Sequence, residues 1–323
     1  MEIVRENNIL LFSSRGIINL VITVTYNYMQ KITPFLWFEN DMKGITDFYL
    51  SVFSGSKVTG NGSLENTPSG AVQMATLEIF GQNFNLMTAG PYLPFNPTVS
   101  FIVSCDSIEE VDDLWTKLSK TGKILMELSS YPFAEKYGWI QDQYGVSWQI
   151  MFSATMKAPQ KITPTLMFAG DLCGRAEEAV NFYTGLFHDA KVDYVVKYEA
   201  GENIETKGTV KHAGVTLENF HISLMDSGKQ SSLTFEQAIS FVVNCDTQEE
   251  VDYYWEKLTD GGKEIQCGWL NDKFGFPWQI VPTAMERMMS QGSKEQIARV
   301  TQAFMQMKKF DIKELEEVYN QVS

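Results

Sequence analysis

Two glutamines hold the same place in two near-identical runs. Gln149 lies in YGWIQDQYGVSWQI (residues 137–150) and Gln279 in CGWLNDKFGFPWQI (residues 267–280). An amide donates and accepts hydrogen bonds, so at this position it either serves a ligand or ties the run to a neighbouring backbone group. It is a weak metal ligand beside carboxylate or imidazole. Each run reads as a β-hairpin whose Asp and Gly supply the turn chemistry. With residues 142–145 as a four-residue loop, Trp139 faces Trp148 and Trp269 faces Trp278 as opposed aromatic pairs. Gln149 then points to the face opposite Trp148 and Ile150, where it lines a cavity or meets solvent.

Few other residues offer chemistry. Of the three histidines, His188 ends a helix and reads as solvated. His212 and His221 fall on strands of the second copy, and the first copy has no histidine in the matching segments. Either is a ligand or base candidate, or a satisfied polar residue. Met87 and Met225 follow matching Leu residues as core filling or as a ligand surface. Trp37 in the first copy is replaced by Met167 in the second, so the two copies differ where a ligand would lie. The pairs Glu109–Glu110 and Glu249–Glu250 read as helix-start charges. No Ser-His-Asp or Cys-His arrangement assembles from local spacing.

These residues sit in a duplication. KITPFLWF (31–38) returns as KITPTLMF (161–168), DFYLSVF (47–53) as NFYTGLF (181–187), and SFIVSCDSIEEVDDLWTKLSKTGK (100–123) as SFVVNCDTQEEVDYYWEKLTDGGK (240–263). Repeated blocks in one order mark tandem modules, here 30–152 and 161–284, with SATMKAPQ (153–160) between them. Each copy reads as β-α-β-β-β-α-β-β. Asp106 or Asp246 is expected to cap the second helix, with Glu109 or Glu249 third, and that helix buries Val111, Leu114 and Leu118.

The totals exclude several functions. The chain has 323 residues, 26 Lys and Arg against 40 Asp and Glu, and a net charge of −14. It repels phosphate backbones and anionic membrane surfaces, so nucleic acid and membrane are poor partners. The apolar segment 17–26 has roughly half the length of a membrane span. Residues 1–28 precede the first repeat and are expected to be an extension outside the fold core. Four cysteines without CxxC spacing suit reduced thiols in a cytoplasm.

On the residues quoted, most of all "WQI" after D-x-[YF]-G and the "CDxxEEVDxxW" block, the chain resembles the PhnB-like branch of the vicinal oxygen chelate superfamily. That superfamily has the glyoxalase and bleomycin-resistance fold; this branch is also labelled 3-demethylubiquinone 3-methyltransferase-like. The resemblance covers about residues 30–323. It implies an α+β protein of two tandem βαβββ-type modules, with curved, mostly antiparallel sheets forming a cup that the neighbouring module closes. It also implies a divalent metal held from the first and last strands. The last-strand slots fall on Gln149 and Gln279 and the first-strand slots near Pro34 and Pro164, or a neighbour, which is not a metal-binding set. The methyltransferase label would need a nucleotide-like cofactor, and no glycine-rich strand-to-helix loop followed by an acidic residue is present to hold one.

Residues 285–323 add a pair of short amphipathic helices, capped at Ser293 and at Asp311 with Glu314. Their methionines need a surface, either the second module or a second subunit in a homodimer. The function expected is binding of a small organic molecule in a cup lined by Gln149, Gln279, Trp37, Met87 and His221, with no cofactor and no tightly bound metal. The alternative is a metal-dependent lyase, isomerase or dioxygenase; methyl transfer is disfavoured. A dimerising protein without ligand is the third reading.

Overall fold

The strands alternate apolar residues on one face with polar ones on the other, and the helices take the apolar face. The computed structural model describes residues 5–6, 9–10, 30–67, 70–90, 93–202, 208–228 and 232–321. The extension expected over residues 1–28 lies outside them, except for β1 (Arg5–Glu6) and β2 (Ile9–Leu10), which pair with each other. The first module runs β3 (Ile32–Phe38), α1 (Met42–Val52), β4 (Lys57–Thr67), β5 (Gly70–Ile79), β6 (Gln82–Thr88), β7 (Val99–Ser104), α2 (Ile108–Ser119), β8 (Lys123–Tyr131), β9 (Ala134–Gln141) and β10 (Ser147–Phe152). The second runs β11 (Ile162–Ala169), a 3-10 turn (Gly170–Leu172), α3 (Ala176–Leu186), β12 (Ala190–Lys197), β13 (Val210–Leu217), β14 (Phe220–Ser227), β15 (Ile239–Cys245), α4 (Gln248–Thr259), β16 (Lys263–Glu264), β17 (Trp269–Asn271) and β18 (Pro277–Pro282). Helices α5 (Thr283–Gln291), α6 (Lys294–Phe304) and α7 (Ile312–Asn320) follow.

Each module is thus two βαβββ units, one strand per unit more than the sequence reading gave. The missed strands β4, β8, β12 and β16 are the four sheet edges. β12 exposes nearly every residue, so it lacks the in–out alternation that marks a half-buried strand. The units pair across modules. One sheet has the order β12-β13-β14-β11-β7-β10-β9-β8 and the other β16-β17-β18-β15-β3-β6-β5-β4. Each sheet therefore takes one unit from each module, joined by the antiparallel seams β11–β7 and β15–β3. The architecture is the expected α+β one, with mostly antiparallel pairing and no closed barrel.

Three local expectations are corrected. The second helix is capped one residue later, by Ser107 and Thr247, whose hydroxyls accept from the amides of Glu110 and Glu250. The carboxylates of Glu110 and Glu250 reach back to the amides of Asp106 and Asp246. The tail forms three helices rather than two. The hairpin register is also shifted: Trp148 opposes Ile140 and Trp139 opposes Gln149, with Leu270–Trp278 and Trp269–Gln279 in the second copy. The tryptophans of each hairpin therefore lie on opposite faces.

The cause of the shift is Asp142. Its carboxylate accepts the amides of Tyr144 and Val146, and its own amide donates to the Val146 carbonyl at 2.9 Å, which lengthens the loop by one residue. The same carboxylate accepts from Tyr49 Oη at 2.8 Å and Trp148 Nε1 at 2.9 Å. Asp272 repeats the arrangement with Tyr183 and Trp278. The fully buried Trp148 packs on Phe53 and Phe101, with ring centroids at 4.8 and 5.2 Å.

Candidate functional site

The face of each sheet turned away from the helices is the cup face. In the first sheet, cross-strand register lines up Tyr194, Gly214, Ser223, Thr165, Ser100 and Ser147 across five neighbouring strands and the edge strand β12. This row is a floor of small, uncharged side chains. Ser100, Ser147, Thr165 and Ser223 are buried. Gln149 lies beside the row: its Nε2 donates to Ser100 Oγ at 2.7 Å and its Oε1 accepts from Tyr137 Oη at 2.7 Å. Trp139 Nε1 donates to Ser147 Oγ at 2.7 Å. Burial pushes the Tyr137 hydroxyl well above its usual range, so it stays a donor. In the middle, the Thr165 hydroxyl is buried and has no hydrogen-bond partner. An unpaired buried hydroxyl is costly; among the described residues Asn271 Oδ1, on the face of Trp269 and Gln279 in the second sheet, and Thr301 Oγ1 are also buried without a partner.

A second cluster stands on β12–β14 beside this floor. His221, two residues before Ser223, is 4% exposed, and its Nδ1 lies 2.9 Å from Asp193 Oδ2. The same carboxylate oxygen accepts from Thr216 Oγ1 at 2.8 Å. Burial lowers the His221 pKa, and Asp193 opposes that shift. His212 bonds Tyr194 Oη at 2.8 Å; burial, with His221 nearby, brings its pKa down to about 4. Gly214 makes this crowding feasible, because a Cβ there would come within 2.5 Å of the Tyr194 ring.

The second sheet has the same row with different contents: Gly60, Thr76, Asn85, Phe35 and Ser240. Gln279 Nε2 donates to Ser240 Oγ at 3.0 Å, as Gln149 does to Ser100. The Tyr137 position is Cys267, so the second glutamine lacks that tyrosine. Phe35 takes the place of Thr165 and meets Trp269 edge-on, with centroids at 5.6 Å; Trp37 lies 5.7 Å from the same ring. Met87 is the cross-strand neighbour of Trp37.

The candidate residues read from the sequence therefore divide between two cups: Gln149 and His221 in the first, Gln279, Trp37 and Met87 in the second. The first-strand slots, expected near Pro34 and Pro164 or a neighbour, lie with the neighbours rather than the prolines. Those pair with Phe241 and Phe101 on the helix face, and their neighbours turn to the cup. Sequence reasoning missed Thr165, Ser100, Tyr137 and Asp193. The signal for Thr165 was present: KITPFLWF and KITPTLMF differ only at Phe35/Thr165 and Trp37/Met167, and both differences fall on the cup face.

A tightly held dication does not fit these donors. Around Gln149 they are hydroxyls and one amide, and the Asp193 carboxylate, on the edge strand β12, is engaged by His221, Thr216 and Lys191. Among the described residues no group of three His, Cys, Asp or Glu is placed to hold a metal ion.

A family profile described as 3-demethylubiquinone-9 3-methyltransferase matches residues 30–151 and again 160–281. No curated protein matches the chain. Among solved structures, the PhnB protein from Bacillus cereus is 39% identical; the match covers 38% of this chain and 100% of that one, with a TM-score of 0.36. Glyoxalase I from Zea mays is 13% identical over 80% of this chain and 98% of that one, with a TM-score of 0.55, a likeness of fold alone. With more than half of its length matched in two tandem stretches, the chain belongs to the 3-demethylubiquinone-9 3-methyltransferase family, the PhnB-like branch of the vicinal oxygen chelate fold.

Proposed function

We propose that this protein binds a small, mostly apolar organic molecule on a cup face, through hydrogen bonds and without a tightly held metal. The observation that carries the reading is the Thr165 hydroxyl, buried and unpartnered in a floor of small polar side chains. Such a group is costly in the free protein and gains a partner when a ligand supplies one. The methyl transfer in the family's name is not carried over. A panel of small uncharged aromatics is expected to contain compounds that raise the melting temperature of untagged protein without added metal. Elemental analysis after dialysis is expected to find far less than one zinc, nickel, manganese or iron per chain. Stoichiometric metal held at Gln149 or Gln279 would overturn the metal-free reading in favour of a metal-dependent lyase, isomerase or dioxygenase.

A second reading has one observation in its favour. The Asp193–His221 pair resembles an oriented base beside the floor, which suits proton transfer on a bound molecule. Wild type and Asp193→Asn compared for turnover of any ligand found in the panel would separate enzyme from binder. The cytoplasm is the proposed compartment. Cys105, Cys245 and Cys267 are free thiols, and no helix among the described residues is long and apolar enough to cross a membrane.

A further inference from the structure

We infer that the two cups are not equivalent: only the cup built on Thr165 takes a ligand, one per chain, and that ligand is an uncharged, flat aromatic molecule carrying a hydroxyl or carbonyl oxygen. The inference rests on the binding function proposed above and adds which cup acts and what it accepts.

Three differences between the cups point the same way. At the centre of the floor one cup has an unpaired hydroxyl, whereas the other has the ring of Phe35, held between its strand and Trp269. The second cup has thus filled its own middle with aromatic contacts.

The walls differ as well. In the first module β8 and β9 form a full hairpin whose turn carries Tyr131 and Phe133. Their rings reach Tyr137, Phe133 at 5.0 Å, and Tyr137 bonds Gln149 on the floor. A separate cleft, lined by Tyr131, Phe133, Glu135 and Met156, lies outside the turn and includes no residue of the Thr165 row. In the second module the matching strands shrink to Lys263–Glu264 and Trp269–Asn271. The chain's own tail occupies that place: the Cys267 and Gly268 amides donate to the carbonyls of Met307 and Lys308 at 2.8 and 2.7 Å. Phe310 lies against Gly268.

The ligand class follows from the floor and its rim. Every side chain in the Thr165 row is uncharged, and the Asp193 carboxylate on β12 is already matched by Lys191 and His221. A formal charge brought here would lose hydration without a counter-ion. Trp139, whose indole bonds Ser147, flanks the row on one side, and Tyr194, stacked on His212, flanks it on the other; aromatic flanks suit a flat ring. Thr165 supplies one hydrogen bond to its oxygen.

The test uses 5-fluorotryptophan protein, whose seven tryptophans report separately by ¹⁹F NMR once assigned by Trp→Phe variants. The probe is 2-naphthol, uncharged at neutral pH. The expected result is saturation at one equivalent, with the Trp139 signal moving and those of Trp37 and Trp269 still. Thr165→Val should weaken binding several-fold, and Phe35→Thr should open a second site to which Trp37 and Trp269 respond. Movement of Trp37 or Trp269 in the wild type, or unchanged affinity in Thr165→Val, would overturn the assignment while leaving small-molecule binding intact. Equal affinity for 2-naphthalenesulfonate would overturn the uncharged class alone. No saturable response in either the wild type or Phe35→Thr would defeat the binding function and this inference together.

Discussion

Asp142 and Thr165 are both buried polar residues, and the contrast between them separates scaffold from site. Asp142 is satisfied by four donors, two of them amides, so its role is to build the hairpin and to anchor α1 through Tyr49. Burial nevertheless pushes its pKa up to about 6, and that of Asp272 is raised as well. An acid whose folded pKa lies above its unfolded value binds its proton more tightly when folded. The associated stability is complete below about pH 3.9 and is lost as pH rises through about 6. For Asp142 this corresponds to about 3 kcal/mol at most. His212, brought down to about 4, and His221 gain stability as pH rises over the same interval, so the carboxyl is isolated by comparison with Asp142→Asn, which keeps both histidines. The melting temperature of the wild type less that of Asp142→Asn is therefore expected to fall as pH rises from about 4 to about 6.5. A difference that is flat or rises over this interval would contradict the argument. Glu178, whose partners Arg175 and Lys273 bring its pKa down to about 2, acts at lower pH. Thr165 gives the opposite expectation. Thr165→Val removes an unpaired hydroxyl at nearly constant shape, so the free protein is expected to gain about 1 kcal/mol in denaturant unfolding. A loss of that size would mean the hydroxyl is bonded after all.

At the scale of elements, local chemistry was legible and neighbour choice was not. Val111, Leu114 and Leu118 were read as the buried stripe of α2, and they are buried; the caps at Ser293 and Asp311 also stand. These depend on residues within one or two turns of each other. The hairpin register was missed by one because an aspartate side chain, not the backbone alone, set the loop length. The tail shows the limit more sharply: its apolar spacing predicts helices, but only the shortened β16–β17 hairpin explains where they dock. Met288, Val300, Met307, Phe310 and Leu315 form their own small core there. Phe310→Ala is expected to cost about 3 kcal/mol. Gly268→Ala is also expected to destabilise, because Gly268 has φ +79° and its added Cβ would come within 2.5 Å of the Phe310 ring. Thermal melts of both variants check this. An unchanged melting temperature would mean the tail is only loosely held.

At the scale of the whole molecule, the duplication was plain in the sequence, but the exchange of units between modules was not. A strand's pattern shows which face is buried; it does not say which strand lies alongside. Here β7 meets β11 and β15 meets β3, so neither module owns a complete sheet. This bears on oligomeric state. A single module alone would leave the edges of β3 and β7 open, with unpaired backbone groups and apolar side chains beside them. Because the repeats share these seam sequences, the edge of β3 in one copy fits the edge of β7 in another, much as β3 now fits β15. Residues 30–152 expressed alone are therefore expected to run as a dimer in size-exclusion chromatography, and to exchange partners with a separately expressed 161–323 when the two are mixed. A well-folded monomer of 30–152 would show that a module completes its own sheet, and the seam would then be a consequence of linkage rather than its cause. The same logic explains how the cups diverged. Each needs both modules, so Phe35 and Thr165 can differ at equivalent positions without disturbing either seam. The shared framework of Asp142 and Asp272 is retained in both copies, while the cup floor is where the repeats part.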